Sequence, residues 1–352
     1  MRVAVIAPPW LPVPPPAYGG TEAVVDALAS GLASIGHEVV LFAHPDSTCP
    51  VPICSIVPPS DTKPMGRASI EIEHAVGAYR QVATGGFDVV SDHTIAGPVH
   101  CCAYPQLPVV ATNHNPFSRT RNAIYATLIG RGAIVAISHS HARSTHLPMA
   151  AVIHHGIDVD AFPFGTGGGG YLAMLTRMSP DKGVRRAIEI ARRAGAKLLI
   201  AAKVGDSQEH EYFDAVIRPQ LYGDIEFLGE VGFGEKQRLL ADATALLNPI
   251  EWSEPFGMAM LESLACGTPV IATPRGAAPE IVVHGVSGFL TETDDDLVDA
   301  VGKIGGLNRY ACRQRAIDEF SVTAMAQRYA SAFGDEIERH RTRAALSPGP
   351  VS

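Results

Sequence analysis

Gly165-Thr-Gly-Gly-Gly-Gly170, followed at once by the apolar run Tyr171-Leu-Ala-Met-Leu175, divides this 352-residue chain near its middle. Five glycines in six residues read as a flexible joint, since glycine restricts neither φ nor ψ and offers no side chain to pack. On both sides of it, short β-branched runs alternate with helical patterns. Before the joint, residues 3–7, 38–43, 88–91, 109–112, 133–137 and 151–154 read as strands, and residues 21–35 as an amphipathic helix. After it the strands are 171–175, 197–202, 225–228, 245–249 and 269–272, with helices at 184–194, 235–241 and 256–265. Continuous apolar strands alternating with helices are the pattern of a parallel sheet covered on both faces. The predicted fold class is therefore α/β, with two domains of similar size. The predicted boundaries are 1–164, a glycine hinge at 165–170, and 171–322. Met325, Tyr329 and Phe333 mark a last helix over 323–346, and the Pro-rich end 347–352 is expected to fray.

Composition narrows the classes. A hydrophobic fraction of 46% fills two cores, and 18% charged residues exclude a disordered chain. A net charge of −8 argues against a nucleic-acid binder, which needs a basic stripe. Any anionic ligand must be held by a few local cations. The six cysteines, Cys49, Cys54, Cys101, Cys102, Cys266 and Cys312, show no metal spacing and read as free thiols of a reducing cytoplasm. The opening run Met1–Ala7 stops at Pro8-Pro9, too short for a signal segment, and no apolar stretch reaches membrane-spanning length. A soluble, cytoplasmic protein is expected, with attachment to a membrane surface left open.

The chemistry concentrates in Glu254-Pro-Phe-Gly-Met-Ala-Met-Leu-Glu262. Two carboxylates stand eight positions apart around a Phe-Gly turn that opens a helix, about 12 Å apart along the axis at ~1.5 Å per residue if the span is mostly helical. The helix start between them offers free N–H groups and a positive dipole end to phosphates. A diphosphate flanked by two hydroxyl-bearing ends, as in a nucleotide-sugar, has the matching shape. Thr176-Arg177-Met-Ser-Pro-Asp-Lys182 sets two cations at the carboxyl end of a strand, where open α/β sheets bind ligands. Arg177 suits bidentate contact with a diphosphate, and Lys182 supplies a point charge. In the first domain, Tyr18-Gly19-Gly20-Thr21-Glu22 follows a proline-rich loop, with glycines that permit close backbone approach and Thr21 placed to cap the next helix. His114, in Thr112-Asn113-His114-Asn115, follows another strand and suits a sugar contact or a proton role, with His93 a weaker candidate. His139-Ser-His141 and His154-His155 have no third ligand at a convincing spacing, so no metal is expected. Asp294-Asp295-Asp296 reads as a solvated loop.

Together these segments resemble the retaining glycosyltransferases of family 4, which have the GT-B architecture: two Rossmann-like parallel-sheet domains facing a central cleft. Glu254 and Glu262 match that family's E-x7-E signature, followed by Cys266-Gly-Thr-Pro-Val270. Arg177 and Lys182 match its R-x4-K pair, Gly19-Gly20 its first glycine loop, and His114 the histidine that contacts the donor sugar. Phe227-Leu228-Gly229, Glu280-Ile281-Val282 and Gly285-Val-Ser-Gly288 fall where the family places F-L-G, E-x-V and G-x-x-G. Three positions depart from its pattern: His155-Gly156-Ile157-Asp158 for Asn-Gly-Val-Asp, Lys203-Val204-Gly205-Asp206 for Gly-Asp-Gly, and His114-Asn115 for His-Asp. They bear on donor details.

The resemblance implies roles. Glu262 would accept from the ribose hydroxyls and Glu254 from the donor sugar. Backbone N–H groups of Gly257, Met258 and Ala259, beside Phe256, would hold the diphosphate and sugar. Leu228 and Gly229 would join the nucleotide site, and Lys203 would add a third cation. Arg177 and Lys182 would neutralise the leaving phosphate without a metal or other cofactor. In this family retention is explained by front-face attack assisted by that phosphate, so Glu254 is not expected to act as a nucleophile. The donor is expected to be UDP-linked in preference to GDP-linked, and the acceptor a small molecule or oligosaccharide. A nicotinamide oxidoreductase is disfavoured by the missing glycine fingerprint. The alternatives are a non-hydrolysing sugar-nucleotide epimerase or a catalytically silent nucleotide-sugar-binding protein of the same architecture.

Overall fold

A computed structural model describes residues 1–17, 19–59 and 66–346, and the chain forms two α/β units. The first comprises Met1–Pro15, Gly19–Gly156 and the chain from Val322; the second comprises Ile157–Ser321 with residues 16 and 17. The expectations for Tyr18 and for 347–352 lie outside the described residues.

Among the described residues the first unit holds a seven-stranded sheet. Its strands are β1 Arg2–Ile6, β2 Glu38–Phe42, β3 Ile53–Cys54, β4 Val89–Asp92, β5 Val109–Thr112, β6 Ala133–Ala136 and β7 Ala151–Val152. Their order is β3-β2-β1-β4-β5-β6-β7, with every neighbouring pair parallel. All four residues of each of β4, β5 and β6 are buried, as strands covered on both faces must be. The second unit's strands are β8 Tyr171–Arg177, β9 Lys197–Lys203, β10 Ile225–Gly229, β11 Ala245–Asn248, β12 Val270–Ala272 and β13 Gly288–Leu290. They pair in parallel in the order β10-β9-β8-β11-β12-β13. Both sheets are thus Rossmann-like. Each reverses its strand order beside its first strand, and ligands of such sheets bind at the carboxyl ends near that point.

The glycine run that reads as a joint is a pinned segment of the second unit. Gly165 N–H donates to Cys266 O at 3.0 Å and Gly169 N–H to Asp242 O at 2.9 Å. The Arg309 guanidinium donates to the carbonyls of Gly165, Ala241 and Ala243 at 2.8–3.1 Å. A Cβ at Gly165 would collide with the backbone of Ala241, so glycine here serves close approach. The three aspartates do not form a loop. They open the helix Asp294–Lys303, whose cap Thr293 accepts from Asp296 N–H. Acids in a first turn are favoured by the helix dipole, and Arg186 lies 2.5 Å from Asp294. The helix Ala68–Thr84 is an element that the strand-helix reading of the sequence does not include.

The helix Val322–Leu346 packs in the first unit against the helix Gly20–Ser34. The crossing is tight at Gly31, where a Cβ would stand 2.6 Å from Val322 Cγ1 and 3.1 Å from Ala326 Cβ. Gly31→Leu should therefore destabilise the protein by about 1–3 kcal/mol, the usual cost of overpacking. Thermal unfolding checks this: Tm should fall in Gly31→Leu and recover in part when Val322→Ala is added, because adjacent sites couple.

Candidate active site

Parallel pairing brings the carboxyl ends of β8 to β11 to one edge of the second sheet. Arg177 and Lys203 end β8 and β9 and are register partners, so the two cations stand side by side. At the end of β10 a bulge between Phe227 and Gly229 breaks the register, Gly229 takes φ +77°, and Leu228 is exposed. Asn248 ends β11, and the loop after it leads to Trp252 and Glu254.

Two loops hold Lys182 and Glu254 in place. After β8 the turn Pro180–Lys182 closes on Gly183 at φ +72°, and a Cβ there would strike Pro249 O. Glu251 N–H donates to Asp181 O at 2.9 Å, tying this turn to the loop after β11. Gly276, at φ +58°, presses on the backbone of Glu254, and Ala277 N–H donates to Glu254 O at 3.0 Å. The result is an ion pair, Lys182 Nζ to Glu254 Oε1 at 2.5 Å, with Nζ also 4.8 Å from the Trp252 ring centroid.

The helix carrying the second carboxylate is Met258–Ala265. Sequence reading starts it at 256, but Gly257 is the cap at φ +113°, which leaves Phe256 as a buried loop residue and Glu254 outside the helix. Glu262 is buried and pairs with Lys236 at 2.5 Å. All four side chains of these two pairs are more than four-fifths buried. Removing one member would leave a desolvated charge unpaired. Arg177 is different: its side chain is 45% exposed, and its Nε lies 3.2 Å from buried Glu209. Glu209 is itself fixed by Gly205 N–H at 2.7 Å.

Sequence reasoning missed Lys236, Glu209 and Trp252. A lysine on the surface helix Phe233–Asp242 and a glutamate in the first turn of Ser207–Tyr212 read as solvated charges. Only the paired contacts mark them.

In the first unit, Gly19 caps the helix Gly20–Ser34, and Thr21 lies inside its first turn instead of capping it. A Cβ on Gly19 would meet Pro15 at 2.7 Å, while Gly20 faces open space. His114, half-buried after β5, meets His93 with Nε2 2.8 Å from Nδ1 of His93. The His155 ring stacks on His114 at 5.2 Å between centroids. His141 is a core residue whose Nε2 lies 2.9 Å from Asn115 O. Among the described residues no group of three His, Cys, Asp or Glu side chains is arranged to hold a metal ion. No helix among them is long and apolar enough to cross a membrane.

Burial drives the imidazoles toward neutrality: His93 and His155 are lowered to about 3 and His141 to about 4. Burial raises Asp92 to about 6, against hydrogen bonds from Thr94 and Tyr79 that favour its charged form.

The sequence matches two family models. "Glycosyltransferase Family 4" matches residues 18–161, and "Glycosyl transferases group 1" matches residues 169–305. The chain is 26% identical over 327 residues to a phosphatidyl-myo-inositol mannosyltransferase of Mycolicibacterium smegmatis, covering 84% of this chain and 82% of that one. It resembles the crystal structure of AviGT4, a glycosyltransferase involved in avilamycin A biosynthesis, at TM-score 0.73 and 25% identity, over 96% of this chain and 98% of the other. Anabaena HepE, in complex with UDP and glucose, shares the fold at TM-score 0.74 and 17% identity, over 95% and 99% of the two chains.

The buried titrations set a pH dependence. A histidine whose folded pKa is depressed contributes stability that is complete above about pH 6.5 and is lost as pH falls toward the folded value. Asp92 has the opposite sign: its stability is present at low pH and is lost as pH rises through about 6, so it offsets one histidine between pH 6 and 4. Buried His74 is likewise lowered to about 4, so four histidines stand against Asp92 and Asp26, which burial raises, and Tm should fall as pH is lowered from 7.5 to 5. A flat or rising Tm over that range would contradict the neutral assignment.

Proposed function

We infer the function of this chain from one premise: it belongs to glycosyltransferase family 4 and has the GT-B architecture. It is a glycosyltransferase. In our reading the donor is a nucleotide-diphosphate sugar, UDP-linked, and the acceptor is a hydroxyl of a small molecule or oligosaccharide. The anomeric configuration is retained, and no metal or cofactor takes part. The observation that carries the reading is the pair of buried ion pairs, Lys182–Glu254 and Lys236–Glu262, at the carboxyl edge of the second sheet. They flank the start of the helix Met258–Ala265, where the first N–H groups of a helix lack intrahelical partners.

The proposed roles follow. Glu262 accepts from the ribose hydroxyls, with Lys236 compensating its charge. Gly257, Met258 and Ala259 present N–H groups to the diphosphate and the sugar. Arg177, Lys182 and Lys203 neutralise the charge that develops on the leaving phosphate. Glu254 binds a sugar hydroxyl; with Lys182 at 2.5 Å from Oε1, it is a tethered acceptor and is assigned no nucleophilic part. HepE, crystallised with UDP and glucose, supports a uridine nucleotide donor. An epimerase of the same architecture is not favoured, because both family models describe glycosyltransferases.

Two measurements test this. In a thermal-shift screen of UDP, GDP, ADP and their sugars, the cognate nucleotide at about 100 times Kd should stabilise the protein by ~2.7 kcal/mol. Glu262→Ala should abolish that shift. Arg177→Ala should lower kcat by roughly 10²–10³, the typical effect of losing one charge-stabilising donor. Unchanged nucleotide binding in the first variant together with unchanged turnover in the second would remove the assignment.

A further inference from the structure

We propose that Glu209 is a positioning residue for Arg177: it anchors the guanidinium through Nε and so holds both Nη groups ready for the leaving phosphate of the donor. This rests on the reading of Arg177 as a phosphate-binding cation, and it concerns the second unit alone.

The carboxylate of Glu209 serves two partners. Glu209 stands in the first turn of the helix Ser207–Tyr212, whose cap Asp206 accepts from Glu209 N–H at 2.9 Å. An acid at this place commonly reaches back to a backbone N–H ahead of the helix, and Oε2 does so, accepting from Gly205 at 2.7 Å. Capping needs one oxygen and no burial. Yet Glu209 is only 5% exposed, and its other oxygen, Oε1, lies 3.2 Å from Arg177 Nε. A desolvated carboxylate requires a cation, and Arg177 is the one ion-pair partner of Glu209 among the described residues. A Cβ at Gly205 would stand 3.3 Å from Oε2, so the loop closes tightly on the carboxylate.

The consequence for Arg177 follows from the shape of its head. A guanidinium carries N–H donors on Nε and on both Nη groups. Nε faces Glu209. Neither Nη group donates a hydrogen bond to a described residue, and the side chain is 45% exposed at the carboxyl end of β8. The edge left open is planar and matches two oxygens of a phosphate. Without an anchor, a long arginine side chain samples many rotamers, and ordering it on binding costs free energy. With Glu209 in place the ordering happens at folding, before the donor arrives. An acid that merely competed with phosphate for Arg177 would have to withdraw on binding, which the bond from Gly205 to Oε2 opposes.

The substitution Glu209→Gln keeps an oxygen for Gly205 N–H and removes the charge facing Arg177, so it separates anchoring from capping. UDP and UMP are the probes, since UMP lacks the β-phosphate that departs with the nucleotide. GDP with GMP, or ADP with AMP, takes their place if the thermal screen selects that base. By calorimetry, Glu209→Gln should weaken UDP roughly five- to tenfold and leave UMP unchanged, the scale on which neighbouring charged residues couple. Arg177→Ala should weaken UDP at least as much, and the double variant should match Arg177→Ala within about twofold. Additive losses in the double variant would overturn the proposal, as would Glu209→Gln binding UDP as tightly as wild type or more tightly. A lowered Tm with an unchanged ratio of UDP to UMP affinity would also overturn it and leave Glu209 a helix cap. UDP binding untouched by Arg177→Ala would instead remove Arg177 from the phosphate site, and a wild type that binds none of the three diphosphates would overturn the transfer reading itself; the proposal falls with either.

Discussion

A carboxylate taken out of water must bring a cation with it, and the second unit is organised around doing this twice. Isolated, Glu254 or Glu262 would face several kcal/mol of desolvation. Each instead sits 2.5 Å from a lysine that is itself largely buried. The arrangement has a chemical consequence. The acids remain hydrogen-bond acceptors, the lysines remain cations, and all four are held before any ligand arrives. Little side-chain freedom is left to lose on binding, which is the benefit of preorganisation. Arg177, held by one carboxylate, is the most exposed member of the set.

The backbone makes this possible through strand direction. In a wholly parallel sheet every carboxyl end falls on one edge, so residues distant in sequence converge there without long connections. Arg177, Lys203, Gly229 and Asn248 end four consecutive neighbours in space. Glycines at 183 and 276 then let the intervening loops pass close to one another, and Gly257 caps the helix Met258–Ala265, each in a left-handed conformation that a Cβ disfavours. The loop chemistry depends on these three positions as much as on the charged side chains.

What the sequence made legible follows from this division. Strands announce themselves as apolar runs, so both sheets and their sequence of strands were readable, apart from short β3 and β13. The spacing of Glu254 and Glu262 and of Arg177 and Lys182 was readable because each pair is local. Lys236 and Glu209 were not, since a charged residue on a helix surface looks the same whether it faces solvent or a carboxylate across a groove between helices. The glycine run misled for a related reason: composition shows that five of residues 165–170 lack side chains, but not that the carbonyls of Ala241 and Asp242 lie against them. The aspartates at 294–296 misled because a loop and a helix N-terminus favour the same residues. His93 and His114 are 21 positions apart, and only the adjacency of β4 and β5 sets their rings in contact.

The chain leaves the first unit after Gly156 and returns to it at Val322, and the returning strand of polypeptide is bridged to the departing one through Ile157 and Ser321. Most of the second unit, Ile157–Ser321, is thus an insertion in the first, and residues 16 and 17 also belong to it. The host is completed only when synthesis reaches the last helix, which supplies Tyr329 to the face of His93. A ribosome making this protein finishes the half with the acids before it finishes the half with the histidines, although the latter begins first. Damage to the tail of the chain would accordingly be felt at residue 93, more than two hundred positions upstream.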